Sequence, residues 1–117
     1  MNKSVSSEYF LRVVSDSMYD PADRDSFAVG DFILVRPQSD AENGSVVVVE
    51  SHDGAWSTFR QLVTEGGTKY LKALNPSWSD RMVEMSDDLR ICGVVTMNGR
   101  ARSTSHAELE TEEVSHA

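Results

Sequence analysis

"GSVVVVESHDGAWSTFRQLV", residues Gly44 to Val63, runs four consecutive valines into a turn and then into a second strand-like segment. A β-branched run of this kind disfavours a helix, where χ1 freedom is lost, and suits a strand covered on both faces. Asn43-Gly44 before the valines and His52-Asp53-Gly54 after them are turn chemistry. "WSTFRQLV", Trp56 to Val63, leads to Gly66-Gly67, and "TKYLKAL", Thr68 to Leu74, returns as its hairpin partner. Asn75-Pro76 then breaks the strand.

The same alternation of apolar runs and turn residues extends outward. Tyr9 to Val14 reads as a first strand, and "FILV", Phe32 to Val35, as a second between Gly30-Asp31 and Arg36-Pro37. "LRICGVVTM", Leu89 to Met97, is the closing strand. Asp20 to Phe27 has room for one short helical turn, and no segment sustains a 3.6-residue period. No internal repeat or helix-turn-helix pattern is visible. The expected fold is mostly β, about seven short strands with minimal helix.

Composition narrows the functional classes. A chain of 117 residues with 39% hydrophobic content suits one soluble domain. Its longest apolar run, Val46 to Val49, is far below the ~20 residues that span a bilayer. The first residues lack the basic start and apolar stretch of a signal peptide. Lone Cys92 makes no internal disulfide, and His52, His106 and His116 are scattered, so no metal or cofactor is implied. A cytoplasmic protein without a membrane contact is expected. The formal net charge of −8 opposes direct contact with nucleic acid, which is bound through basic patches. After Arg100 the apolar content falls and four glutamates appear in "AELETEEV", Ala107 to Val114. Residues 101–117 therefore read as an acidic, disordered tail, with a short helix over Ala107 to Val114 as the alternative.

"VVSDSMYDP", Val13 to Pro21, raises the question of chemistry. Ser17 is an ordinary turn serine unless a base can take its proton. Asp16 points to the opposite face if this is a strand, and no histidine lies in a partner position. A triad is unsupported, which leaves a Ser-Lys dyad, in which desolvation lowers a buried lysine's pKa. On composition alone Met18 is core filler, and Trp56 and Trp78 are packing residues or interface anchors.

"SDSMYDP…DSFAVGDFILVRP" resembles the self-cleaving peptidase domain of LexA-type proteins, a group that includes LexA, UmuD and lambda-type phage repressors. The matching features are Ser17-Met18, Pro21, Gly30-Asp31, the Phe32 to Val35 strand and Pro37, with the "SF..GD" spacing nearest the phage-repressor branch. "GSVVVVE" is similar to the family's strand after a glycine, "TFRQL" to its catalytic-lysine strand, "YLKALNPSWSD" to its Leu-Asn-Pro segment and "ICGVVTM" to its closing strand. The resemblance covers Phe10 to Arg100, leaves residues 1–9 as a linker remnant, and implies a domain of strongly curved strands.

Two positions depart from that pattern. Ser15 stands where the family keeps glycine, and Arg60 stands where it keeps the dyad lysine. An arginine holds its proton even when buried, so Arg60 cannot be the general base that Ser17 requires. Lys69 and Lys72, on the adjacent hairpin strand, are the only nearby substitutes. The upstream small-residue–Gly/Ala bond that such domains cleave is absent before Ser17, and Cys92-Gly93 reads as core.

The resemblance thus implies a fragment: the C-terminal oligomerisation domain of a phage-type repressor. Its partners would be itself, as a homodimer or higher assembly with the exposed edge of Leu89 to Met97 as the candidate contact, and an antirepressor or RecA-type inducer. DNA would be reached only through an absent N-terminal domain. Self-cleavage is expected to be lost through Arg60. The alternatives are an active Ser-dyad peptidase of the SOS response and a UmuD-like polymerase subunit.

Overall fold

The computed structural model describes residues 7–37 and 40–100, together with the backbone of residues 111–114. Strand β1 (Tyr9–Val13) is followed by β2 (Asp31–Arg36), β3 (Val46–Ser51), β4 (Ser57–Glu65), β5 (Thr68–Lys72), β6 (Met82–Glu84), β7 (Leu89–Arg100) and β8 (Thr111–Val114). All belong to one sheet in the order β6-β5-β4-β3-β7-β2-β1-β8, and the described residues contain no helix. Every pairing is antiparallel except that of β8 with β1.

The valine run sits near the middle of the sheet and is covered on both sides, as its composition requires. Val48 packs on one face with Phe59, Ile33 and Met18, whereas Val47 and Val49 pack on the other with Leu62 and Leu71. Val47 and Val49 are fully buried, and each such side chain contributes roughly 1.5 kcal/mol or more through apolar area removed from water. The β4–β5 hairpin closes through Gly66 and Gly67, with φ of 59° and 84°. Two successive residues in the left-handed region match the twist of the flanking strands, and glycine enters that region without penalty.

β7 carries the curvature. Its register slips once against β3, between Val48 and Val49, and once against β2, between Leu34 and Val35. Each slip bends the strand and increases its twist. Between the slips Gly93 lies so close to β2 that an added Cβ would come within 2.5 Å of Val35 Cγ1 and 3.3 Å of the Arg36 carbonyl oxygen. Cys92 beside it is half-buried, with Sγ 3.4 Å from the Val48 carbonyl oxygen.

Some expectations are corrected. Asp20 to Phe27 forms turns instead of a helical turn, because the Ser26 hydroxyl holds the chain locally. It accepts the Asp20 N–H at 2.9 Å and lies 2.8 Å from the Asp23 carbonyl oxygen. β7, expected as an exposed edge, is paired on both sides, and the edges of the sheet are β6 and β8. Neither of these was foreseen: β6 is three exposed residues, and Thr111–Val114 pairs as a strand where at most a helix was expected. The disorder reading of the remaining tail, and the linker reading of residues 1–6, fall outside the described residues.

Gly93→Ala should destabilise the domain by about 1–3 kcal/mol, since fully buried Val35 has no room to yield. Urea unfolding of the two proteins measures this directly, and an unchanged midpoint would contradict the close approach.

Candidate active site

Ser17 follows β1 in a turn closed by the Tyr19 N–H on the Asp16 carbonyl at 3.1 Å. The turn is gripped from a distant part of the chain. Asn75, just after β5, donates its backbone N–H to the Ser17 carbonyl and its side-chain amide to the Asp16 carbonyl, both at 3.0 Å. Within the turn, the Ser17 N–H donates to Ser15 Oγ at 3.1 Å. The next residue, Met18, is fully buried, and its carbonyl accepts the Phe27 N–H at 2.8 Å. Phe27 in turn meets Phe59 edge to face, with ring centroids 5.2 Å apart. The neighbours of Ser17 and Arg60 in sequence, Met18 and Phe59, therefore share one core cluster.

Ser17 Oγ is completely buried and has no hydrogen-bond partner. Leaving a buried hydroxyl unsatisfied costs about 1–3 kcal/mol, and such exceptions call for an explanation in function. Arg60 lies on β4 opposite Val47 and is 7% exposed. Its Nη1 donates to Thr58 Oγ1 and to the Phe59 carbonyl, both at 2.7 Å. The guanidinium carbon sits 5.7 Å from the ring centre of Trp78, whose negative face favours a cation by about 1–2 kcal/mol. Trp78 belongs to the turn that begins at Asn75, closed by its N–H on the Asn75 carbonyl at 3.1 Å. One short turn thus holds the serine loop at its first residue and carries the arginine's aromatic platform at its last. No hydrogen bond joins Ser17 Oγ to Arg60. A cleft of about 320 Å³ opens beside the guanidinium, lined by Trp56, Thr58, Leu71, Trp78 and Val83.

Sequence reasoning singled out Ser17 and Arg60, and the same region also contains Asn75, Thr58 and Ser15, none of which it assigned a role. Asn75 was legible only as a strand breaker before Pro76. Its bond to Asp16 spans 59 residues, a separation with no local sequence signal. The Thr58 contact could have been anticipated, because residues two apart on a strand share a face.

Burial lowers the Arg60 pKa to about 10. Even so, only about one guanidinium in a thousand would be neutral at pH 7, too few to supply a working base. The other candidate bases are misplaced. Gln61 pairs with Lys72, so Lys72 projects from the face opposite to Arg60. Thr64 pairs with Lys69, which puts Lys69 about 13 Å further along the strand. Among the described residues no group of three or more His, Cys, Asp or Glu side chains could hold a metal ion. Among the described residues, the arrangement offers a nucleophile-type hydroxyl in a clamped turn and a fixed cation, and neither Lys69 nor Lys72 shares the position of Arg60.

The family model described as Peptidase S24-like matches residues 1–96. The chain is 37% identical over 94 residues to "Prophage repressor CohE" of Escherichia coli (strain K12), covering 80% of this chain and 40% of that protein. It is 39% identical over 87 residues to "Repressor protein C2" of Salmonella phage P22, covering 74% and 39% of the two chains. Against "LexA repressor 2" of Pseudomonas putida the identity is 36% over 87 residues, covering 74% and 40%. The chain spans about two fifths of the length of these curated relatives. The matched segment contains the serine turn, strands β1 to β6, most of β7 and Arg60, and the chain belongs to the Peptidase S24-like family.

Proposed function

We propose that this domain is the assembly part of a phage-type transcriptional repressor, and that its peptidase site is silent at neutral pH. The observation that carries the second half is Arg60, a buried and protonated guanidinium at the position where the family resemblance places the dyad base, in a domain whose Ser17 hydroxyl is buried without a hydrogen-bond partner among the described residues. The first half draws on relatives named as repressors, and on the acidic charge, which leaves DNA binding to a segment outside this chain. Self-association would bring two DNA-binding parts together, so that the second half-site is met at high effective concentration. Induction would then depend on a partner, an antirepressor or a RecA-type protein, that disturbs assembly instead of triggering cleavage.

Pairing would use a face of the sheet, because β7 is flanked on both sides by other strands. Met97, 57% exposed on the C-terminal half of β7, is a large apolar side chain suited to such a contact. Sedimentation of the chain should give a concentration-dependent dimer, and Met97→Asp should raise its dissociation constant about tenfold or more. A monomer at all concentrations would contradict the assembly role.

The chemical half is tested by mass spectrometry of peptides that carry a small residue followed by glycine, incubated with the chain and two variants. The unmodified chain should leave them intact at pH 7.5. Arg60→Lys should cleave them, because a buried lysine can shed its proton, and adding Ser17→Ala to that variant should abolish the cleavage. Ser17-dependent cleavage by the unmodified chain would make the protein an active peptidase.

A further inference from the structure

We infer that Ser15 slows the site at a second point, by occupying the donor that a substrate's oxyanion would need. This rests on the reading of Ser17 as the nucleophile position. When a serine Oγ bonds to a carbonyl carbon, its proton passes to a base and the C=O π pair moves onto oxygen. The oxyanion then needs N–H or O–H donors until the C–N bond breaks and the departing amine takes the proton. The nearest donor fixed by the covalent chain is the nucleophile's own backbone N–H.

That N–H is already in use. It donates to Ser15 Oγ at 3.1 Å, and both residues are buried, Ser15 at 8% exposed and Ser17 at 0%. An amide hydrogen has one strong direction, and an acceptor lying along it fills the place of an incoming oxygen. The Asp16 carbonyl, which shares the peptide unit with that N–H, accepts from the Tyr19 N–H at 3.1 Å and from the Asn75 side-chain amide at 3.0 Å, so the unit is not free to swing its N–H elsewhere. Of the polar groups of Ser17, the hydroxyl alone is without a partner among the described residues. The backbone of the candidate nucleophile is thus fully satisfied from within the domain, while its side chain is not. A residue without a hydroxyl at position 15 would leave the amide open to a substrate oxygen. Ser15 acts here as an internal stand-in for the substrate oxygen, so a base restored at position 60 gives cleavage about tenfold slower than the same base with the Ser15 hydroxyl removed.

The test uses two readouts. In the unmodified chain, the Ser17 amide proton is followed by nitrogen-15 NMR with and without Ser15→Ala. Loss of the hydrogen bond should move it upfield while the rest of the spectrum holds, and an unmoved resonance would overturn the inference. The second readout is the rate of Ser17 modification by diisopropyl fluorophosphate, followed by mass. In that reaction an Oγ–P bond forms, the P–F bond breaks, fluoride leaves and the hydroxyl proton goes to the base. The phosphoryl oxygen takes the oxyanion's place. In the Arg60→Lys background, Ser15→Ala and Ser15→Gly should each raise this rate about tenfold, the equivalent of freeing one hydrogen-bond donor. Modification that is no faster in either Ser15 variant would overturn the block while leaving Ser17 as nucleophile. Absence of modification in all three proteins would overturn the nucleophile reading itself, and the block with it.

Discussion

Arg60 is buried together with its charge, and this constraint governs what the site can do. A buried cation is tolerated only where its donors are satisfied and its surroundings are polarised toward it. Here the fold commits the Thr58 hydroxyl, the Phe59 carbonyl and the face of Trp78 to that task. A guanidinium held this way is a stable structural ion. It stabilises negative charge well and accepts a proton poorly, the reverse of what a general base must do.

The serine turn, by contrast, is maintained by interactions that owe nothing to catalysis. Asn75 grips it through two hydrogen bonds, and Met18 and Phe27 anchor it in the core against Phe59. The geometry of Ser17 is therefore a by-product of packing and does not depend on a base. A domain whose serine turn is built into its core keeps its shape whether or not a base is present. This is the physical content of the proposed role, and it explains how a hydroxyl with no partner persists inside a well-packed region.

Much of this was legible from the residues. The valine run, the Gly66-Gly67 hairpin and the Gly30-Asp31 entry to β2 are local signals, and each forms as its chemistry dictates. The central position of β7 was not legible, since nothing in Leu89 to Met97 distinguishes a strand with two partners from one at an edge. β6 escaped because three exposed residues bear no alternation, and Thr111–Val114 because four residues among glutamates have no strand composition. At the site, Ser17 and Arg60 stood out by resemblance, whereas the grip of Asn75 and the platform of Trp78 depend on long-range packing that sequence spacing does not encode.

The central claim is that Arg60 keeps its proton wherever the protein would act. Guanidinium resonances of arginine-labelled protein, carbon-13 at Cζ and nitrogen-15 at Nη, can be followed from pH 6 upward to read that proton directly. The account predicts no titration of Arg60 below about pH 9, with the midpoint at about 10 or higher. A midpoint near pH 8 or lower would contradict it, since the guanidine could then serve Ser17 as a base.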